Sequence, residues 1–139
     1  MNSMPMDAML VEHQGFWAHC AQQRLCMQRC NACDAWRHPP APICPHCGSA
    51  DARWQDVQGA ARLFSYTVVH HPASEALRAA VPYNIAIVAF EGLGDARLIS
   101  RVTDAAPHEL RIGMALQLHW QQDALGRWLP VFRRGAEAT

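Results

Sequence analysis

The stretch Cys30-Asn31-Ala32-Cys33, followed after ten residues by Cys44-Pro45-His46-Cys47-Gly48, decides how the chain is read. Each CxxC turns the backbone so that both thiolates face one centre. Two facing turns complete a tetrahedral four-sulfur site. Four sulfurs leave no open position for water, so the metal is structural: zinc, with iron in a rubredoxin-like site as the alternative. Pro45 fixes the entry to the second turn, and Gly48 supplies the backbone freedom that lets amides approach the sulfurs. In the first turn that place is held by Asp34. His46, inside the second turn, is the alternative ligand. Cys20 and Cys26 bring the cysteines to six. They are expected to be a packed helix residue and a linker residue, and His38 to face solvent. No secretory signal is seen before them, so disulfides find no support and a cytoplasmic location is expected.

Working outward, 139 residues suit one domain, or one domain with a small module. Half of them are hydrophobic, enough for a compact core. Twelve arginines face twelve acidic residues, lysine is absent, and the formal net charge is zero. A neutral chain has little electrostatic attraction to phosphate backbones, which argues against a nucleic-acid partner. No apolar run is long enough to cross a bilayer.

Before the cysteines, residues 1–28 read as a helix, with an apolar stripe through Met6, Met9/Leu10, Phe16/Trp17 and Cys20. The stripe either covers its own domain or docks a partner. Gly15 interrupts it at a cost of about 1 kcal/mol. Residues 29–53 form the ribbon, with Pro39-Pro40 as a stiff spacer. Residues 54–134 change to strand patterning. Ala61 to His71 alternates, with Leu63, Ser65, Thr67 and Val69 on one face and Phe64, Tyr66, Val68 and His70 on the other. A break with a helical hint (Ala73 to Ala80) precedes the buried strand Asn84 to Phe90. Ala96 to Val102 closes a hairpin, and Pro107 to Leu110 suggests one helical turn. Ala115 to Trp120 and Trp128 to Phe132 are the last strands, with Pro130 marking an edge or a bulge. Residues 135–139 read as a loose tail. The expected fold is mainly β: an N-terminal helix, a four-cysteine ribbon and a five-stranded Greek-key barrel of the OB type.

The ordered set of helix, CxxC/CPxCG ribbon, FSYTVVH (64–70), PYNIAIVAFEG (82–92), Gly113-Met114 and LPVF (129–132) resembles a known family. These are zinc-ribbon plus OB-fold proteins, once catalogued only as a domain of unknown function and found beside thiolase-type enzymes. The resemblance implies an acyl-CoA-associated accessory subunit of a thiolase, an aldolase or a hotdog-fold enoyl-CoA hydratase. It implies that the OB-fold shelters the pantetheine arm or acyl chain, and that Cys30, Cys33, Cys44 and Cys47 are the ribbon ligands. The chain departs from the pattern at Ala41, where relatives carry Arg, and at Asp34, where Gly is usual. Chemistry then points to His70, Arg78 and Tyr83 as ligand-binding residues flanking the first interstrand loop. An Arg pairs with phosphates and an aromatic stacks on adenine or pantetheine.

No catalytic residue is expected. His70-His71 with Glu75 lack a serine or cysteine nucleophile, and Gly92-Leu93-Gly94 is a hairpin signal rather than a dinucleotide fingerprint. The alternative function is a single-strand nucleic-acid-binding OB-fold stacking bases on Trp54, Phe64 and Tyr66, against which the neutral charge stands. Self-pairing into a homodimer stays open.

Overall fold

A computed structural model describes residues 11–136. It begins with α1 (Val11–Cys20), so Met6, Met9 and Leu10 of the apolar stripe lie outside the described residues. The helix stops at Cys20, short of the expected residue 28. Its end is a Schellman motif: Arg24 N–H bonds the His19 carbonyl at 3.0 Å and Gln23 N–H bonds that of Cys20 at 2.8 Å. Gln23 takes the left-handed position at φ 56°, a place where Gly is the usual signal. Phe16 and Cys20 are buried in the protein's own core, so this part of the stripe covers its own chain.

The chain then forms a three-stranded antiparallel sheet. β1 (Cys26–Cys30) lies between β2 (Trp36–Arg37) and β3 (Ala52–Asp56). Cys26 is therefore a strand residue, not a linker residue, and its thiol donates to Asp56 Oδ1 at 3.4 Å. Met27 beside it is fully buried and joins the same apolar cluster as the barrel residues Leu63, Val88 and Phe132.

Five further strands follow: β4 (Ala61–Val69), β5 (Tyr83–Phe90), β6 (Arg97–Ser100), β7 (Ala115–Gln122) and β8 (Trp128–Arg134). Their order is β6-β5-β4-β7-β8. Val102, just past the end of β6, makes a parallel bridge with Phe132 of β8, which nearly closes the barrel in the OB manner. The helical hints become single 3-10 turns at Glu75–Leu77 and Pro107–Glu109.

Two local features shape the barrel. In β4 the pairing with β5 slips between Leu63 and Ser65. The bulge puts Phe64 outside and lets Leu63 and Tyr66 both pack inward, so the strict alternation expected from the sequence breaks there. In β8, Phe132 N–H bonds the Arg101 carbonyl at 3.0 Å and its own carbonyl accepts from Thr103 N–H at 2.8 Å. Pro130, two residues earlier, has no N–H to extend this seam. Its carbonyl accepts the Ser100 hydroxyl at 2.7 Å. The seam opens at that point. The buried Asn84 pins the chain leaving β6, donating to the Val102 carbonyl at 2.9 Å and accepting its N–H at 2.8 Å.

Gly15 has a packing reason to be glycine. A Cβ placed there would lie 2.5 Å from the Trp54 indole, which is also held by the His19 ring at 5.6 Å. Gly15→Ala is expected to destabilise the protein by about 1–3 kcal/mol despite the better helix propensity of Ala, through overpacking. Denaturant unfolding of the two proteins checks this.

Candidate functional site

The ribbon turns bring the sulfurs of Cys30, Cys33, Cys44 and Cys47 within 4.8 Å of one another. Cys30 Sγ lies 3.5 Å from Cys47 Sγ, and Cys33 Sγ lies 3.7 Å from Cys44 Sγ. Sulfurs around a tetrahedral zinc, each about 2.3 Å from it, stand about 3.8 Å apart, so the set fits such an ion. All six cysteines are free thiols. The two turns match bond for bond: Asp34 N–H reaches the Cys30 carbonyl at 3.0 Å, and Gly48 N–H reaches that of Cys44 at 2.9 Å. Asp34 adopts φ 64° where Gly48 has 80°. Asp is among the few side chains that tolerate this region. Arg53 secures it, donating to Asp34 Oδ1 at 3.0 Å, while Arg29 Nε donates to its carbonyl at 2.9 Å. Hydrogen bonding from Arg53 and the charge of Arg29 lower the Asp34 carboxyl pKa.

Backbone N–H groups favour the thiolate at two of the four sulfurs, Cys30 and Cys44, while burial and the neighbouring sulfurs hold Cys33 and Cys47 up. The N–H groups of Cys47 and His46 bring the Cys44 thiol down to about 6, and that of Cys33 leads the lowering at Cys30. The His46 ring is not in the four-sulfur cluster. Cys20 and Cys26 show the opposite effect, with burial raising them to about 12 and about 11, so both stay protonated and inert.

A second feature is a half-open groove of about 910 Å³ where the β6–β8 seam parts. One side is Phe16 and Trp17 of α1 with Pro39 and Pro40 of the ribbon. The other is Tyr83, Ile85, Arg97 and Ile99, with Leu129, Pro130 and Val131 also lining it. Leu77 of the loop between β4 and β5 overhangs it. Such a volume is within the range of small-molecule sites, about 300–1,000 Å³.

Of the three ligand-binding residues expected from the sequence, Tyr83 lies on this groove, half-buried. His70 is exposed just past the end of β4 and is not among the groove's lining residues. Arg78 is also outside the lining, 70% exposed, and paired with Glu75 at 2.7 Å. His38 is corrected from solvent-facing to half-buried: its ring packs against Phe16 with centroids 4.9 Å apart and lines the groove. Nothing adjacent in sequence signals this, because the covering residue comes from α1. Burial first, and then the charge of His13, lower its pKa to about 4, and its Nδ1 is buried without a partner. The three aromatics proposed for base stacking do not make an open platform. Trp54 and Tyr66 pack against the core, and the Arg97 guanidinium covers the Phe64 ring at 3.8 Å.

Fold and site together define a rubredoxin-like ribbon joined to an OB-fold barrel. Residues 17–52 match the family described as ChsH2, rubredoxin-like zinc ribbon domain, and residues 54–121 match ChsH2, C-terminal OB-fold domain. A solved structure described as an Ltp2-ChsH2(DUF35) aldolase superposes with a TM-score of 0.81 at 37% identity, covering 91% of this chain and 97% of that one. The chain belongs to this ChsH2 (DUF35) family. A Sulfolobus solfataricus DUF35 protein of unknown function shares the fold, with a TM-score of 0.62 at 15% identity over 88% of this chain and 84% of that one. A probable enoyl-CoA hydratase alpha subunit of Thermomonospora curvata is 42% identical over 119 residues, which is 85% of this chain. A DUF35 domain-containing scaffold protein of Pyrococcus furiosus is 30% identical over 80 residues, 58% of this chain. The aligned regions span 36% and 57% of those two relatives' lengths. Among the described residues no helix is long and apolar enough to cross a membrane.

Two predictions follow from the site's geometry. Cys44→Ser should lose bound metal by elemental analysis and loosen the ribbon, while near-native β signal persists in far-UV circular dichroism; unchanged metal content contradicts the four-sulfur site. His38 has its folded pKa below its unfolded value of about 6.5, so the unfolded chain binds the extra proton as pH falls. Stability should therefore drop between about pH 6.5 and 4 by up to about 1.4 kcal/mol per pH unit from this residue. His38→Gln should flatten that slope relative to the parent in paired denaturant titrations.

Proposed function

We propose that the chain is a non-catalytic accessory subunit that binds acyl-CoA beside a partner enzyme of the thiolase, aldolase or hotdog hydratase type. The observation that carries this reading is the groove of about 910 Å³, walled mainly by apolar side chains, at the open seam of the barrel. A pantetheine arm with an acyl chain is long and largely apolar, and such a groove removes it from water. The relatives' descriptions support the class, since one is an aldolase complex and another a hydratase subunit. The description of a further relative as a scaffold protein supports a role without chemistry of its own.

In this reading zinc occupies the four-cysteine site and has a structural part only. Four thiolates crowded within 4.8 Å repel one another unless a cation neutralises them. Tyr83 contacts the chain of the ligand inside the groove. His70, where the loop that overhangs it begins, and Arg78, within that loop, meet the portion left outside. The protein works in the cytoplasm, where thiols stay reduced.

The test is calorimetric titration of octanoyl-CoA into the purified chain, together with co-purification against a co-expressed thiolase-like or hydratase partner. Saturable binding without thioester turnover, and a stable complex, are expected. Neither binding nor complex formation overturns the proposal, and turnover by the isolated chain overturns its non-catalytic part.

A further inference from the structure

The geometry points to Arg97, held flat on Phe64, as the anion anchor of the groove, taking a phosphate of the CoA thioester while the apolar walls take its tail. This rests on the acyl-CoA reading above and adds a residue to it.

Sheet register explains how the platform forms. Arg97 on β6 pairs across from Ala89 on β5, which pairs in turn with Arg62 on β4. The Ala89 methyl is small enough for the Arg97 side chain to cross β5. Beyond it lies Phe64, turned outward by the bulge. The guanidinium carbon sits 3.8 Å from the Phe64 ring centroid, a cation–π contact that fixes the plane of its donors.

The stacked guanidinium lacks a counter-ion. Arg24, Arg53, Arg78 and Arg134 each have a carboxylate partner at 3.0 Å or less. Among the described residues Arg97 has no such pair, and its Nε is buried with no hydrogen-bond partner. With Nε buried, the two Nη groups are the donors left to meet an oxyanion, and a planar pair of charged N–H donors suits one. Arg97 also lines the groove, as does Ile99, which is 72% exposed. An anionic head at this rim and an apolar tail toward Phe16, Pro40 and Val131 match the two ends of a CoA thioester. Arg78, the basic residue that sequence chemistry selects, lies outside the groove lining and is paired with Glu75 at 2.7 Å.

Titrating octanoyl-CoA, 3′-dephospho-CoA, inorganic pyrophosphate and octanoate into the full-length chain and its variants tests the assignment. Arg97→Gln should weaken octanoyl-CoA binding by about ten- to a hundredfold. Arg97→Lys and Phe64→Leu should fall between it and the parent, because each keeps either the charge or an apolar support. Parent binding should weaken with added salt. Circular dichroism should match across the set, and thermal melts should shift only slightly, through the lost cation–π contact. If Arg97→Gln binds octanoyl-CoA like the parent, the anchor is refuted while the acyl-CoA reading stands. Loss of partner-enzyme association in that variant, with ligand affinity kept, refutes it in favour of a protein interface. Octanoate binding that depends on Arg97 as strongly as octanoyl-CoA does would identify a carboxylate site and refute the phosphate assignment. A parent chain that binds none of the four ligands overturns both.

Discussion

Convergence of four sulfurs on one point is the constraint on which the rest of the molecule depends. The loop between Cys33 and Cys44 contains β2, His38 and the Pro39-Pro40 pair, and His38, Pro39 and Pro40 line one side of the groove. β2 is two residues long, and its ladder to β1 has two paired positions. A ladder so short cannot hold a loop in place by itself. Metal coordination at both ends of the segment would hold it, and free energy of this kind is on the order of 10 kcal/mol in small zinc modules. The ribbon is thus the part that sets one groove wall against the other, rather than an appendage to the barrel.

The groove itself follows from an incomplete closure. The barrel seals between Val102 and Phe132 and fails to seal at Pro130, where the missing N–H ends the ladder. Apolar side chains at that gap would face water if α1 and the ribbon did not stand opposite. Phe16, Trp17 and Pro40 supply the opposing surface, leaving room for a ligand between. Polar side chains at the seam are committed within the protein. Ser100 is bonded to Pro130 and Asn84 to Val102, while Arg97 lines the groove without a carboxylate partner among the described residues.

Much of this was legible in the sequence. CxxC spacing located the four sulfurs, and alternating patterns with turn residues located the five barrel strands and their approximate ends. Features set by long-range contacts were not legible. Gln23 caps α1 without glycine, so no local signal marks the end of the helix. Phe64 lies outside because of a register slip that no periodicity shows. His38 lies under Phe16, which is twenty-two positions earlier in the chain. Arg97 carries no local mark of a site either: its availability depends on a small residue at Ala89 in the neighbouring strand and on carboxylates that pair elsewhere. Tyr83 lines the groove, and its place beside the first interstrand loop is legible in the sequence.

The most direct measurement of the central claim, that a metal-clasped ribbon forms one wall of an acyl-CoA groove, is an affinity comparison across metal removal. Octanoyl-CoA is titrated into the metal-loaded chain and into the same preparation after chelation, with circular dichroism confirming that the barrel persists. The account predicts saturable binding that is largely lost on chelation and recovered when zinc is restored. Equal affinity with and without metal, in a chain whose barrel is intact, would contradict it.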